Sequence, residues 1–174
     1  AAVPKAEGLG FKDIYVSDAT CSGGVNENEA VKVVEELNNH FNLYYDNQKG
    51  VLSQSVGVVG FGKEQVDYIY DLVLKDRELN EKIKTAISNF DDVPEKLIFF
   101  KTIETVQGQE TDHLILSLTY GRDKNGKVVQ RFGELNRGFD DNKLGQCIFN
   151  VAVTRAKSSV TVIHSVTAEE IDNP

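Results

Sequence analysis

A short and nearly all-apolar run, Val56-Gly-Val-Val-Gly-Phe61, constrains the fold of this chain more than any other stretch. A strand with one solvated face alternates apolar and polar residues, whereas a continuous apolar run is typical of a strand that is buried on both faces. A second such run, Leu97-Ile-Phe-Phe100, follows a helical pattern that ends before Pro94. Strands buried on both faces belong to parallel sheets whose strands are joined through helices, so the two runs predict an α/β fold with a mostly parallel sheet.

Strand and helix patterns alternate along the rest of the chain, as βαβ units require. Strands are predicted at residues 11–16, 113–119 and 159–164, with an antiparallel arm or edge strand at 127–132. Helices are predicted after Asn26 and at residues 63–74, 78–89 and 145–156. These elements fill one domain of 174 residues, which is long enough to bury a core.

The helix after Asn26 has a recognisable start. Asn26 followed three residues later by Glu29 resembles a capping box, in which the Asn side chain accepts a backbone hydrogen bond and the Glu side chain reaches back to the cap. Apolar residues then recur at helical spacing and predict one buried face: Ala30, Val33, Val34, Leu37 and Phe41.

The charge of the chain is acidic and unevenly distributed. Residues 1–100 contain 10 basic and 17 acidic residues and carry −7, whereas residues 101–174 contain 9 and 10 and carry −1, for a total of −8. A domain that binds nucleic acid alone through its phosphates needs a basic patch. Any contact with nucleic acid is therefore expected to be local to the second part of the chain, or shared with another domain.

The sequence favours a cytoplasmic protein without a membrane partner, because no apolar run approaches the roughly 18 residues of a membrane helix and no signal peptide is recognisable. Cys21 and Cys147 lie far apart, and the three histidines are scattered, so neither a disulfide framework nor a metal site is expected. The chain begins at Ala1 and contains no methionine. We therefore expect it to be a piece cut from a longer protein.

The segment after Leu97-Ile-Phe-Phe100 is the first candidate site. Ligands of open α/β sheets bind beyond the carboxyl ends of strands, which is where residues 105–112 are expected to lie. Gly108 permits close backbone approach, Gln107 offers a donor and an acceptor, and Glu110 can accept hydrogen bonds from sugar hydroxyls. The alternative is a polar turn with a helix-capping Glu.

Arg155 is the second candidate, at the end of the apolar segment Ile148-Phe-Asn-Val-Ala-Val153. A guanidinium on a buried helix can present planar, bidentate donors to a transferring phosphoryl group. The alternative is a cation that complements the dipole of a helix C-terminus, a role that Lys157 could also fill. A third candidate is the turn Gly60-Phe-Gly62 with the helix that opens toward Gln65, whose N-terminal amides could attract phosphate or could be a structural turn alone.

Four segments in order resemble the second RecA-like domain of superfamily 1 helicases, in the group of the RNA-surveillance and DNA-replication helicases. They are Lys101-Thr-Ile-Glu-Thr-Val-Gln-Gly-Gln-Glu110, Ser117-Leu-Thr-Tyr-Gly121, Phe132-Gly-Glu-Leu-Asn136 and Asn150-Val-Ala-Val-Thr-Arg-Ala-Lys157. The first and last resemble motifs V and VI, and residues 56–65 resemble motif IV. The closest resemblance is to large bacterial helicase-like proteins that are often fused to a nuclease-type domain.

The resemblance implies a three-layer α/β RecA-like domain and assigns roles to single residues. Arg155 would face the γ-phosphate of ATP. Glu110 would lie near the ribose or the γ-phosphate, with Gly108 shaping its turn. Gln65 would belong to the motif IV side of the nucleotide. Thr105 and Gln107 would lie on the nucleic-acid side.

The pattern departs from that of many relatives at Val66, where an arginine would make a second phosphate contact.

The resemblance further implies the C-terminal half of an ATP-dependent helicase or translocase core. No G-x-x-x-x-G-K-[ST] loop occurs in the chain, so ATP and Mg²⁺ are expected to be bound mainly by an N-terminal P-loop RecA-like domain of the same polypeptide. The chain alone is then expected to be inactive. Its second partner is expected to be a single-stranded nucleic acid, with DNA as the expected form although the residues do not separate DNA from RNA. The alternatives are a degenerate helicase domain that acts as a non-catalytic binding module, and a free-standing nucleotide-binding domain, which would need a phosphate loop.

Overall fold

The computed structural model describes residues 10–128, 150, 154–167 and 170. Their elements follow in chain order: β1 (Gly10–Tyr15), β2 (Cys21–Ser22), β3 (Val25–Asn26), α1 (Glu27–Tyr44), β4 (Tyr45–Asp46), β5 (Val51–Leu52), β6 (Val56–Gly60), α2 (Lys63–Lys75), α3 (Arg77–Ser88), a 3-10 turn (Pro94–Lys96), β7 (Ile98–Thr102), β8 (Thr111–Ser117) and β9 (Ala156–His164). None of the helices in the described residues is long and apolar enough to cross a membrane.

Five of the strands form one sheet in the order β1-β9-β8-β6-β7. Every neighbouring pair in this sheet is parallel, which confirms the predicted α/β class. Two short antiparallel hairpins, β2 with β3 and β4 with β5, lie outside it. Because all five strands point the same way, the sheet has an amino edge, where strands begin, and a carboxyl edge, where they end.

Strand β6 lies inside the sheet between β8 and β7, and all five of its residues are buried, as the apolar run predicts. Gly57 is required there by close packing against β7. A Cβ atom at this position would lie 2.2 Å from Cζ of Phe99, whose ring covers the glycine on the neighbouring strand. The sequence of β6 therefore matches both its double burial and the size of its neighbour.

The three α-helices in the described residues, α1, α2 and α3, pack against one face of the sheet. The core on that face joins α1, α2 and α3 to β6, β7, β8 and β9 through residues that include Val33, Leu37, Ile69 and Ile115. On the other face, Ile103 and Val106 from the connection between β7 and β8 pack with Val59, Leu114 and Val162. That connection therefore crosses the sheet face on its way from the carboxyl edge to the amino edge.

The predicted elements are largely confirmed, with two exceptions. The prediction of a helix at residues 145–156 extends too far, because Ala156 belongs to β9 and pairs with Thr111. Residues 145–149 and 151–153 lie outside the described part of the chain. The arm predicted at 127–132 is described only at its start, where Val128 forms one antiparallel bridge with Arg122.

The capping box at the start of α1 is half confirmed. Asn26 is the N-cap, and its Oδ1 accepts from the Glu29 amide at 3.1 Å. The side chain of Glu29 does not reach back to the Asn26 amide, which instead donates to Oε1 of Gln65 at 2.7 Å. Glu29 is fully buried and turns toward the sheet, because donors from β8 and from the residue after β9 surround its carboxylate.

We expect Gly57→Ala to destabilise the domain by roughly 1–3 kcal/mol, because the new methyl group would overlap the ring of Phe99 in a packed core. Urea unfolding monitored by circular dichroism measures the loss. In a Phe99→Leu background the same substitution should cost less, since the shorter side chain gives room at that position. Equal losses in the two backgrounds would contradict this account of Gly57.

Candidate functional site

The connection between β7 and β8, residues 103–110, joins the two edges of the sheet. At the carboxyl edge, the hydroxyl of Thr105 accepts from the Thr102 amide at 3.1 Å and closes a tight turn. Val106 is buried and anchors the segment, while Gln107 and Gly108 are exposed. Gly108 has φ +80°, and a Cβ there would meet nothing within 4 Å, so the backbone needs the glycine for its conformation rather than for space.

The far end of this connection does not lie where the sequence predicts. Residues 105–112 were all expected at the carboxyl edge, but only the Thr105 end lies there. Glu110 immediately precedes β8 and therefore lies at the amino edge. The reason is that residues 103–110 span the whole depth of the sheet before the next parallel strand begins.

The amino edge joins the two segments that resemble motifs V and VI. The amide of Thr111 donates to the carbonyl of Arg155 at 3.0 Å, and Thr111 pairs with Ala156 in the ladder of β8 and β9. Beside them, Oε2 of Glu110 lies 3.5 Å from Nζ of Lys157, and both side chains are exposed. An exposed pair of this kind contributes ~0–1 kcal/mol and leaves the carboxylate accessible to a ligand.

Arg155 lies in a turn directly before β9, where the Thr154 amide donates to the carbonyl of Asn150 at 2.9 Å. Its side chain is half-buried. Its Nε is buried and has no hydrogen-bond partner among the described residues. A buried donor without an acceptor costs roughly 1–3 kcal/mol, so an acceptor brought to this nitrogen would stabilise the site.

The start of β8 is held rigidly to the start of β6. Oδ2 of Asp112 accepts from both the amide and the hydroxyl of Ser55 at 2.8 Å, and the Asp112 amide donates back to the Ser55 hydroxyl at 2.9 Å. These reciprocal bonds fix the backbone that carries Glu110 and Thr111. A site at the amino edge is therefore built on ordered strands rather than on a loose loop.

Two histidines lie beneath this edge in one hydrogen-bonded chain. Nε2 of His40 faces the carbonyl of Gln54 at 2.9 Å and must carry a proton to donate. Its Nδ1 then accepts from Nδ1 of His113 at 3.2 Å, while Nε2 of His113 accepts from the hydroxyl of Thr161 at 2.9 Å. Burial lowers the pKa of His40, and burial together with the neighbouring His40 lowers the pKa of His113 to about 4.

Gln65, expected near the nucleotide, lies at the carboxyl edge instead of beside Glu110 and Arg155. It is fully buried. Oε1 of its side chain accepts from the backbone amide of Asn26. Its Nε2 donates to the backbone carbonyl of Asn26 at 3.0 Å and to Oγ of Ser117 at 3.1 Å. The side chain therefore joins α1, α2 and β8 and has no atom left to face solvent.

Val66, which stands where many relatives have an arginine, is part of the core. It is 7% exposed, and its Cγ2 would lie 2.9 Å from a Cβ on Gly60 at the end of β6. This position is thus at the carboxyl edge, away from Arg155.

Sequence reasoning missed the role of one residue at the carboxyl edge, Glu29, which it assigned to helix capping. Its carboxylate accepts from Oγ of Ser117 at 2.7 Å, Oγ of Ser165 at 2.6 Å and the amide of Thr119 at 2.8 Å. Burial raises the pKa of Glu29, although these hydrogen bonds lower it in part. In the sequence, the signal for this role is a charged residue among the buried positions of an otherwise apolar helix face.

In the described residues, no group of three or more His, Cys, Asp or Glu side chains is placed to hold a metal ion.

Comparison with known proteins identifies the family of this chain. The profile of the AAA domain family matches residues 12–167. This chain belongs to that family. It is 34% identical over 118 residues to the uncharacterized ATP-dependent helicase MG140 of Mycoplasma genitalium, and 31% identical over 125 residues to its homolog in Mycoplasma pneumoniae. These matches cover 67% and 71% of this chain but 10% of each relative, so the chain spans about a tenth of the length of both.

One solved structure that the chain resembles is the C-terminal domain of a possible DNA helicase from Lactobacillus plantarum WCFS1. The TM-score is 0.47 at 9% identity, and the match covers 94% of this chain and 79% of that one. The parallel sheet with its helices confirms the RecA-like α/β arrangement that the sequence predicts, in an AAA-family domain that is similar to part of two ATP-dependent helicases.

We expect the stability of the domain to fall as the pH drops from about 6.5 toward 4. The unfolded histidine binds a proton near its ordinary pKa of 6.5, but folded His113 does so only at about 4. Between these values the unfolded state holds more protons, so the stabilisation is complete above pH 6.5 and declines below it, by at most ~3 kcal/mol at pH 4. Urea titrations from pH 7.5 to 4 measure the decline.

The matched comparison is His113→Leu, which removes the titrating ring and should flatten the curve. Charges that face the pair, namely Lys12, Glu36 and Asp112, remain in both proteins. The raised pKa of Glu29 acts in the opposite direction and is also common to both. Parallel curves for the two proteins would show that His113 does not cause the decline.

Proposed function

We propose that this chain is the C-terminal RecA-like half of an ATP-dependent superfamily 1 nucleic-acid helicase or translocase. Its amino edge would form one wall of the ATP cleft. The observation that carries the proposal is the bond between the Thr111 amide and the Arg155 carbonyl, which brings Glu110 and Arg155 to one edge although they are far apart in sequence. The resemblance to superfamily 1 helicases predicts that both residues face the nucleotide.

Arg155 supplies the chemistry that a nucleotide would need from this side. Its guanidinium has a buried Nε without an acceptor, and a phosphate oxygen is a suitable acceptor for it. A planar arginine fork stabilises the charge on a transferring phosphoryl group better than a lysine does. The unsatisfied nitrogen fits a residue whose partner arrives only when the cleft closes.

Glu110 supplies a carboxylate that can accept from ribose hydroxyls. It is exposed and contacts only Lys157 among the charged residues described, at 3.5 Å. Gly108, two residues earlier, gives the backbone the positive φ of +80° that shapes the approach to this position. The ion pair with Lys157 would hold the carboxylate at the edge until a sugar hydroxyl replaces the lysine.

ATP and Mg²⁺ would be held mainly by an N-terminal P-loop domain of the same polypeptide, with the metal neutralising the phosphate charge. The chain has no phosphate loop of its own, and it spans about a tenth of its curated relatives. Catalysis of phosphoryl transfer depends largely on positioning and charge stabilisation, so a site divided between two domains works only when they close together. We therefore propose that the chain alone does not turn over ATP.

The carboxyl edge would form part of the nucleic-acid track. Thr105 and Gln107 are exposed near this edge, and the relatives bear the name of ATP-dependent helicases. Their hydroxyl and amide groups can bond phosphate oxygens without reading the base sequence. The ligand would be a single strand, with DNA as the expected form.

We expect Arg155→Ala, in the full-length protein, to lower the ATP turnover rate by roughly 10³–10⁵ while sparing the fold and ATP binding. Lys157→Ala is the matched control, because it removes a neighbouring exposed cation that pairs with Glu110. Both variants are compared for kcat and melting temperature. The 174-residue chain, assayed in parallel, should show no turnover.

An Arg155→Ala protein that is destabilised yet fully active would refute the catalytic role and favour helix capping. A full-length protein with no ATPase activity at all would favour the non-catalytic binding module. Turnover by the 174-residue chain would contradict the two-domain site.

We expect this chain alone to bind single-stranded oligonucleotides weakly and without sequence preference. Its net charge of −8 opposes a polyanion, and few phosphates would be neutralised, so log K should fall only gently with log salt. Fluorescence anisotropy at several salt concentrations measures the slope. Nanomolar binding at physiological salt would instead indicate a basic surface, for which Lys124, Lys127, Arg131 and Arg137 are the candidates.

A further inference from the structure

A tight and strained turn follows β8 at the carboxyl edge. The amide of Tyr120 donates to the carbonyl of Leu118 at 2.7 Å, which closes a three-residue γ-turn around Thr119. Thr119 has φ 71° and is the one non-glycine residue with positive φ in the described part of the chain. A γ-turn with a positive central φ is rare, and for a β-branched residue this conformation is a true outlier.

Such strain costs roughly 1–3 kcal/mol and persists only where the surroundings impose it. The bond to Tyr120 closes the turn, and the Leu118 amide donates to the carbonyl of Ile163 at 3.0 Å on the neighbouring strand. Neither bond restrains the amide of Thr119 itself. That amide donates to Oε2 of Glu29 at 2.8 Å, in a fully buried position.

Glu29 is itself held from four directions. Besides the Thr119 amide, it accepts from Ser117 and Ser165 hydroxyls at 2.7 and 2.6 Å and from Nδ2 of Asn26 at 3.2 Å. Hydrogen bonds to a buried carboxylate are short and strong, so Glu29 is a directional acceptor for the Thr119 amide. The turn therefore depends on a residue of α1 that lies 90 positions away along the chain.

The turn lies beside the elements that end at the same edge. The ring of Tyr120 contacts that of Phe61, directly after β6, with centroids 6.1 Å apart. The turn of Thr105, after β7, is one strand further along. At about 4.8 Å between strands, the ends of β8 and β7 are roughly 10 Å apart, so the three strand ends lie side by side at the carboxyl edge.

We propose that Glu29 is a positioning residue that holds the Thr119 turn in the shape needed to contact a single-stranded nucleic acid at the carboxyl edge. The inference rests on the proposed function for the identity of the ligand. Strained backbone of this kind is concentrated at ligand-contacting segments, and no part of the ATP chemistry at the amino edge needs Glu29. Neither helix capping nor sheet pairing requires a β-branched residue at positive φ here.

The strain itself provides the test, because glycine adopts positive φ without cost. If Glu29 acts by imposing this conformation on Thr119, its loss should matter only while residue 119 has a side chain. Thr119→Gly should therefore restore nucleic-acid binding to a Glu29 variant. A residue that served stability alone would show no such restoration of binding.

The experiment measures the fluorescence anisotropy of a labelled oligothymidylate as the 174-residue chain is added. Salt and temperature are kept low, and only variants that circular dichroism shows to be folded under these conditions are compared. Glu29→Ala should raise Kd by about tenfold, which corresponds to ~1.4 kcal/mol of binding free energy. In a Thr119→Gly background, where glycine adopts the turn without Glu29, the same Glu29→Ala substitution should change Kd by less than about twofold. Unchanged Kd in folded Glu29→Ala, or no restoration in the double variant, overturns the inference.

Glu36→Ala is the matched control on the same helix. Glu36 is 7% exposed and pairs with Lys12 at 2.7 Å, away from the turn. The Glu36→Ala variant should have a lower melting temperature and an unchanged Kd.

If Glu29→Ala does not fold, Glu29→Gln replaces it. The side-chain amide of Glu29→Gln has one acceptor oxygen instead of two, so it loses at least one of the four hydrogen bonds. The affinity should then fall by less than in Glu29→Ala, and Thr119→Gly should again restore it. Absence of either effect overturns the inference.

Hydrogen exchange at the Thr119 amide separates this inference from the proposed function. Exchange should accelerate in Glu29→Ala and not in Glu36→Ala, whether or not nucleic acid binds. Wild-type chain that binds no oligonucleotide even at low salt would refute the nucleic-acid role and with it the purpose of the turn. Wild-type binding with an unaffected Glu29→Ala would refute the positioning role alone.

Discussion

One buried carboxylate organises the carboxyl edge of this domain. Glu29 accepts four hydrogen bonds from three parts of the chain, the start of α1, the end of β8 with its turn, and the residue after β9. Burying a carboxylate is costly unless donors surround it, and here burial still raises its pKa. Gln65 adds α2 to the same cluster through Asn26 and Ser117. Removal of any member would leave buried donors or acceptors unpaired, so the relative positions of both helices and two strands follow from this cluster.

The direction of the parallel sheet then separates the two proposed ligands. Glu110 and Arg155 precede β8 and β9, whereas Thr105 and Thr119 follow β7 and β8. The connection of residues 103–110 crosses between the edges, and Ile103 and Val106 anchor it in the core. A nucleotide and a nucleic-acid strand bound as proposed would thus contact opposite ends of the same strands.

The sequence predicts the frame of this domain better than it predicts its sites. Local patterns sufficed for the buried strand β6, for the cap at Asn26 and for the helices α2 and α3, because hydrophobic period and capping depend on nearby residues. The placement of Glu110 was missed, since the rule that ligands lie at carboxyl ends does not reveal where a connection crosses the sheet. The role of Glu29 was missed because its partners Ser117 and Ser165 are 88 and 136 positions away. A capping pattern reports the backbone near Asn26 and gives no information about such distant donors.

Strand β8 is a direct covalent path between the two proposed sites, in addition to the connection of residues 103–110. Its seven residues, Thr111–Ser117, lead from the edge of Glu110 and Arg155 to the turn of Thr119, a distance of roughly 23 Å at 3.3 Å per residue. The strand is paired on both sides and its last four residues are buried, so it cannot lengthen or bend without breaking close-packed contacts. A change at the nucleotide would therefore reach the nucleic-acid side through motion of the whole domain rather than through deformation within it. Rigid-body closure against a second domain is the kind of transition that such a sheet can transmit, because every displacement of its amino edge moves its carboxyl edge as well.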